Sequence, residues 1–139
     1  MIVLDTNVVS ELMGAAPEPR VIHWADSQVS TTLYLTSLTL AEIRFGIAKL
    51  PQGRRRDELD HAFEQRIRPQ FGDRVLDFDE AASRHYAALR ADARATGIAI
   101  SGPDALIAAT ARVRKFQVAT RDVAPFVGAG LSVINPWDE

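Results

Sequence analysis

The chain contains no cysteine, which excludes a disulfide scaffold, a thiolate nucleophile and a zinc site built on sulfur. Histidine is scarce, and His23, His61 and His85 stand far apart, so a zinc site built on imidazole is not expected either. No apolar run approaches the roughly 20 residues of a membrane helix. The N-terminus has no basic stretch, and Asp5 interrupts the run Met1-Ile2-Val3-Leu4, so no signal peptide is expected. An excess of one charge is missing too. The 16 basic and 18 acidic side chains give a net charge of −2, whereas a protein that coats nucleic acid is strongly basic. Repeats, low-complexity tracts and linkers are absent. The length suits one domain over residues 1–139 with one core, expected to be soluble and cytoplasmic with no membrane association.

What is present is an ordinary apolar content of 47%, arranged as short apolar runs alternating with helical patterns. That order predicts an α/β fold with a mainly parallel sheet. Ile2-Val3-Leu4 reads as a strand buried on both faces. A short helix to Met13 follows, closed by Gly14, then a helix from Glu18 to Ser27. Leu33-Tyr34-Leu35 reads as the second strand. From Thr39 to Leu50 the apolar residues Leu40, Ile43, Ile47 and Leu50 fall on one helical face, and Pro51 and Gly53 end the pattern. A polar helix from Arg54 to Arg68 carries Glu64 and Arg68 as an i,i+4 pair. Val75-Leu76 with Phe78 is the third strand. Asp79 caps an alanine-rich helix to Thr96, closed by Gly97. A further helix runs from Pro103 to Arg114, Gln117-Val118-Ala119 is the fourth strand, and Leu131 to Ile134 the last.

Four acids stand where ligands gather in such folds. Asp5 ends the first strand and Asp122 closely follows the fourth. The carboxyl ends of parallel strands open onto one crevice. Glu42 and Asp104 lie on helices that can begin at that edge. Each acid also has a local reading: Asp5 and Asp122 as helix caps, Asp104 as the acid of a capping box in Ser101-Gly102-Pro103-Asp104, and Glu42 as a solvated helix residue. Charge pairing separates these readings in part. Glu80 has Arg84 four residues on, but none of the four has a cation three or four residues ahead. Partly buried carboxylates without a partner are costly unless a cation satisfies them, and either a divalent ion or a distant arginine can serve. If the four acids gather around a metal, the remaining 14 acids face 16 basic groups, so the total charge hides the local field. Carboxylates are hard ligands that suit Mg²⁺ or Mn²⁺, and ions so held support phosphodiester hydrolysis.

Four segments in order carry a resemblance over nearly the whole chain: Leu4-Asp5-Thr6-Asn7, Leu40-Ala41-Glu42-Ile43-Arg44-Phe45-Gly46, Asp104-Ala105-Leu106-Ile107-Ala108-Ala109-Thr110-Ala111 and Val118-Ala119-Thr120-Arg121-Asp122. The sequence resembles PIN-domain nucleases and, within them, VapC-type toxins of toxin–antitoxin pairs. The ending Asn135-Pro136-Trp137 is similar to the FitB-like branch. The resemblance implies a three-layer α/β/α fold around a central parallel sheet. It also implies that Asp5, Glu42, Asp104 and Asp122 bind Mg²⁺ or Mn²⁺, one of them helping water to attack an RNA phosphodiester. Asn7 and Thr120 match polar positions near the family's site and either orient ligands or serve the turns they stand in. A cognate antitoxin is implied, covering the acidic groove and bringing the complex to operator DNA, as is a homodimer.

Arg44 and Arg121 lie nearest the acids in sequence and are candidates for contact with substrate, or for ion pairs that steady the acidic cluster. Arg54-Arg55-Arg56 and the group Arg112, Arg114 and Lys115 are solvated faces or phosphate contacts. No aromatic motif for single-stranded RNA is visible. A haloacid-dehalogenase phosphatase needs Asp-x-Asp where this chain has Asp5-Thr6-Asn7. The acidic pair of a receiver domain and a P-loop are missing as well. A DNA nuclease and a pure co-repressor remain as alternatives.

Overall fold

The computed structural model describes residues 1–139. Strand β1 (Ile2–Leu4) leads into helix α1 (Thr6–Met13) and then α2 (Pro19–Ser27). Strand β2 (Leu33–Thr36) is followed by α3 (Ser37–Ala48) and α4 (Arg54–His61). Strand β3 (Val75–Leu76) precedes α5 (Glu80–Thr96) and α6 (Gly102–Arg114). Strand β4 (Gln117–Ala119), α7 (Val123–Gly128) and β5 (Val133–Ile134) complete the chain. The five strands form one sheet in the order β3-β2-β1-β4-β5, and every neighbouring pair is parallel. Parallel neighbours need long crossovers, which the helices supply.

Strand alternation builds the layers. Ile2 and Leu4 of β1 pack with Val8 and Val9 of α1, Trp24 of α2 and Ile43 of α3. Val3, between them, faces the opposite side with Leu89 of α5, Ala105 and Ile107 of α6 and Phe126 of α7. The fold is thus a three-layer α/β/α arrangement, as expected. Each fully buried Val, Leu or Phe contributes about 1.5–3 kcal/mol through removal from water. The chain winds outward from β1 through β2 to β3 and returns to the other side of β1 for β4. That reversal opens a crevice beyond the carboxyl ends of β1 and β4.

Local departures have local causes. Helix α3 begins at Ser37, two residues earlier than its apolar pattern predicts, because the Thr36 hydroxyl accepts the Thr39 N–H at 3.0 Å. It ends at Ala48 rather than Leu50. The polar helix expected to reach Arg68 is regular only to His61. It continues as a π turn (Ala62–Ile67) and a 3₁₀ turn (Arg68–Phe71). Pro69 lacks the N–H that an α-helix there would give to Gln65, so the regular ladder cannot extend through it. The irregular stretch places Phe63 in the core with no exposed surface. The expected Glu64–Arg68 pair does not form. Glu64 takes Arg44 at 2.9 Å, and Arg68 donates to the Gly72 carbonyl instead. The last strand is shorter than expected, confined to Val133–Ile134. No helix is long and apolar enough to cross a membrane.

Candidate metal centre

Asp5 leaves β1 in extended conformation, and its N–H continues the sheet ladder by donating to the Ala119 carbonyl at 2.9 Å. Its side chain is therefore set at the switch between β1 and β4. One carboxylate oxygen, Oδ1, accepts the Thr6 N–H at 2.8 Å; Oδ2 accepts the Thr120 hydroxyl at 2.7 Å. Asp5 is only 4% exposed. It both caps α1 and presents a buried carboxylate to the crevice.

Thr120, fully buried, is the hub of the neighbouring bonds. Besides donating to Asp5, its hydroxyl accepts the Asn7 amide at 3.1 Å and the Asp122 N–H at 3.0 Å. Asn7 Oδ1 in turn accepts the Arg121 N–H at 3.3 Å. These bonds tie the start of α1 to the turn after β4. Glu42 comes from the first half of α3, whose start is drawn toward β1 by the Thr39 hydroxyl reaching the Leu4 carbonyl at 3.5 Å. Its Oε1 accepts the Thr6 hydroxyl at 2.8 Å. Thr6 thus holds Asp5 through its backbone and Glu42 through its side chain, a role that sequence reading missed. The signal was its place between Asp5 and Asn7 at the first helical position.

Asp5, Glu42 and Asp104 line one cleft of about 480 Å³, together with Thr6, Asn7 and Glu11. Arg121 and Trp137 form another part of its wall. Asp122 opens with Asp104 onto the adjoining cavity, toward α5. The acids sense one another. Burial pushes the Asp5 carboxyl up to about 6. The Thr120 and Thr6 hydrogen bonds work against that rise, and the charges of Asp104 and Glu42 add to it. Asp104 is also raised, first by burial and then by Asp122, with the Ser101 hydroxyl opposing. None of the four joins an ion pair. The three that form are Arg44–Glu64, Arg54–Glu58 and Glu80–Arg84, so no distant arginine answers these charges.

The capping alternatives fare differently. Asp122 sits at the cap of α7 without a side-chain bond to it. At α6, Ser101 accepts the Asp104 N–H at 3.2 Å, but the Asp104 carboxylate meets only the Ser101 hydroxyl and not its backbone N–H, so the capping box is half built. Accordingly, Ser101→Ala is expected to destabilise the protein by about 1 kcal/mol. Asp104→Ala should cost clearly less, because it removes a repelled charge and no cap. Urea unfolding in EDTA measures both, and equal losses would restore the full capping box.

Arg44 lies outside the cleft. Its guanidinium pairs with Glu64 and sits 5.8 Å from the Phe63 ring centroid. Arg54 is likewise held by Glu58, and with Arg55 it lines a separate cavity beside the end of α1. Only Arg121, of the expected substrate contacts, faces the acids' cleft.

The donor set suits a hard divalent cation: carboxylate and hydroxyl oxygens, with neither sulfur nor imidazole among the cleft's lining. With Asp5 buried, Glu42 and Asp104 half-buried and none of the four paired, the carboxylates gain from a cation in the cleft. They do not close into a tight three-ligand cage. An ion held here would therefore keep much of its water and take few protein ligands directly, as Mg²⁺ can.

Comparisons with known proteins identify the family. A family model described as PIN domain matches residues 2–126. The chain is 51% identical to VapC ribonuclease Y4jK of Sinorhizobium fredii, over 99% of each chain. It is 42% identical to Toxin FitB of Neisseria gonorrhoeae, over 100% of each. Among solved structures, FitAB bound to the IR36 DNA fragment superposes with a TM-score of 0.93 at 43% identity, covering 99% of this chain and 96% of that one.

Proposed function

The chain belongs to the PIN-domain family, and on that premise we propose that it is a metal-dependent endoribonuclease toxin of a toxin–antitoxin pair. Asp5, Glu42, Asp104 and Asp122 would hold Mg²⁺, with Mn²⁺ able to replace it, and RNA is the substrate. The observation that carries the reading is the convergence of three carboxylates without a cationic partner on one cleft at the sheet's switch point, with Asp122 beside it. Identity of 51% to a VapC ribonuclease over nearly the full length supports the choice of RNA over DNA.

A divalent ion at this site supplies charge neutralisation for the phosphate and a more acidic bound water. The chain's own residues do the rest. Thr6 and Thr120 fix the orientation of Glu42 and Asp5. Asn7 holds the Arg121 backbone, placing the one cation of the cleft wall where it can meet a phosphate oxygen. Hydrolysis adds water oxygen to phosphorus and expels a ribose oxygen. A carboxylate of the cluster takes the proton from the attacking water, and the departing ribose oxygen takes one from solvent.

A cognate antitoxin would neutralise the enzyme by covering this acidic cleft, and a basic side chain is the group best matched to it. The likeness to FitAB bound to DNA supports a second role, as co-repressor in an antitoxin complex that reaches operator DNA through the antitoxin. A homodimer is part of the same proposal.

The test is cleavage of defined RNAs and total RNA by antitoxin-free protein with Mg²⁺ or Mn²⁺. Product should appear with wild type, and disappear in EDTA and in Asp104→Asn. Folded wild type that leaves every RNA intact, while still supporting operator binding by its partner, would favour the co-repressor alone.

A further inference from the structure

Arg121 is exposed and is the only cation among the residues lining a cleft that also presents Asp5, Glu11, Glu42 and Asp104. Coulomb attraction alone would draw its guanidinium onto one of those carboxylates, yet it pairs with none of them. Its guanidinium carbon lies instead 5.3 Å from the ring centroid of Trp137, within cation–π range. The indole is in turn anchored. Pro136 before it is buried and Trp137 packs against the core layer that contains Leu4. The Trp137 backbone N–H donates to Asn135 Oδ1 at 3.2 Å, and the Trp137 carbonyl accepts Arg20 at 3.3 Å. Asn135 also donates to Asp138 at 2.7 Å, closing the turn.

We propose that Trp137 is a positioning residue for the nuclease site: its ring holds Arg121 off the carboxylates, leaving them free for the metal and the guanidinium free for an RNA phosphate. The inference rests on the metal-nuclease reading above and deepens it. Two anchors act on Arg121, its backbone on Asn7 and its side chain on the indole. Without the second, the side chain retains its attraction to the acids and competes with a divalent ion for them. The structure thereby places an aromatic group beside the site, though as a support for arginine rather than a platform for bases.

Binding of Mn²⁺ alone, followed by electron paramagnetic resonance without RNA, separates this role from a merely structural one. Trp137→Leu keeps an apolar side chain in the turn but removes the ring, and should weaken Mn²⁺ binding about two- to fivefold, the scale of an exposed cation–π contact. Trp137→Phe keeps a ring and should stay close to wild type. In the decisive arm, Arg121→Met added to Trp137→Leu should restore Mn²⁺ binding, because the competing cation is gone. A loosened turn would not be repaired by that second change. Unaltered Mn²⁺ affinity in Trp137→Leu, or no recovery in the double variant, overturns the proposal. Should Trp137→Leu fail to fold, the Arg121→Met variant supports the proposal if its RNA KM rises and its Mn²⁺ affinity holds. It overturns the proposal if that affinity improves, since Arg121 then already occupies the acids in the wild type. A wild type that binds no Mn²⁺ removes the metal-site reading itself, and this inference with it.

Discussion

Asp5→Asn is expected to abolish RNA cleavage and, in EDTA above pH 6, to make the protein more stable than wild type. The two effects have one cause. Asp5 is buried among acids, and its carboxyl is pushed from the ordinary 3.8 up to about 6. A carboxyl raised in the folded state contributes stability that is fully present below about pH 4, where it is protonated folded and unfolded alike. That contribution is lost as pH rises through about 6, where the folded protein must ionise it. At about 1.4 kcal/mol for each pH unit between the two values, the ionised group costs metal-free protein on the order of 3 kcal/mol. Asparagine carries no charge to desolvate. Its carbonyl can still accept the Thr120 hydroxyl, but its NH₂ faces the Thr6 N–H, so the net gain is about 1–2 kcal/mol. Thermal unfolding in EDTA from pH 4 to 8 should therefore show a wild type that weakens across pH 4–7 and a flatter variant, the curves crossing near the middle. Parallel curves would show that Asp5 does not carry this cost. Cleavage should fall at least about a hundredfold, since even the neighbours that orient a metal ligand are worth about 10–100-fold.

Thr120→Val should damage both stability and cleavage. Valine matches threonine in shape but removes one donor to Asp5 and one acceptor shared by Asn7 and the Asp122 N–H. Leaving buried polar groups without partners costs about 1–3 kcal/mol each, and some relax toward solvent in the cleft, so a loss of roughly 2–4 kcal/mol is expected. Asp5 also loses the bond that most opposes its upward shift. Cleavage should drop about 10–100-fold. Thr120→Ser keeps the hydroxyl and should recover most of the activity, with a smaller stability loss from the missing methyl. Denaturant melts and cleavage rates on the same samples measure both. If valine and serine behaved alike, the hydroxyl network would not hold the site.

Much of the fold was legible because its signals are local. The apolar run Ile2-Val3-Leu4 can be buried on both faces only as a central strand, and the structure places it between β2 and β4. Asp79 and Gly97 mark both ends of α5 through a side-chain cap and a left-handed turn at φ 73°. Signals failed where a distant partner outcompeted a near one. Glu64 and Arg68 have the spacing of a helical pair, but the π turn changes their phase and Arg44 from α3 takes the glutamate. The same capture removes Arg44 from the acids' cleft, although it stands only two residues from Glu42 in sequence.

By itself the sequence determined that the fold is α/β with parallel strands. It also supplied the four acids and, through the lack of a cation three or four residues ahead, the hint that each would be left unpaired. Periodicity, caps and composition are properties of a few neighbouring residues, so they can be read along the chain. Only the tertiary structure decided which acids share a cleft, that Thr6 joins Asp5 to Glu42, and that Thr120 binds Asp5 and Asn7, 115 and 113 residues away in sequence. Only it placed Arg121 on Trp137 rather than on a carboxylate. Those contacts follow from the order of strands and the winding of the chain past β1. Distances between remote residues depend on how every intervening element packs, which no local pattern encodes.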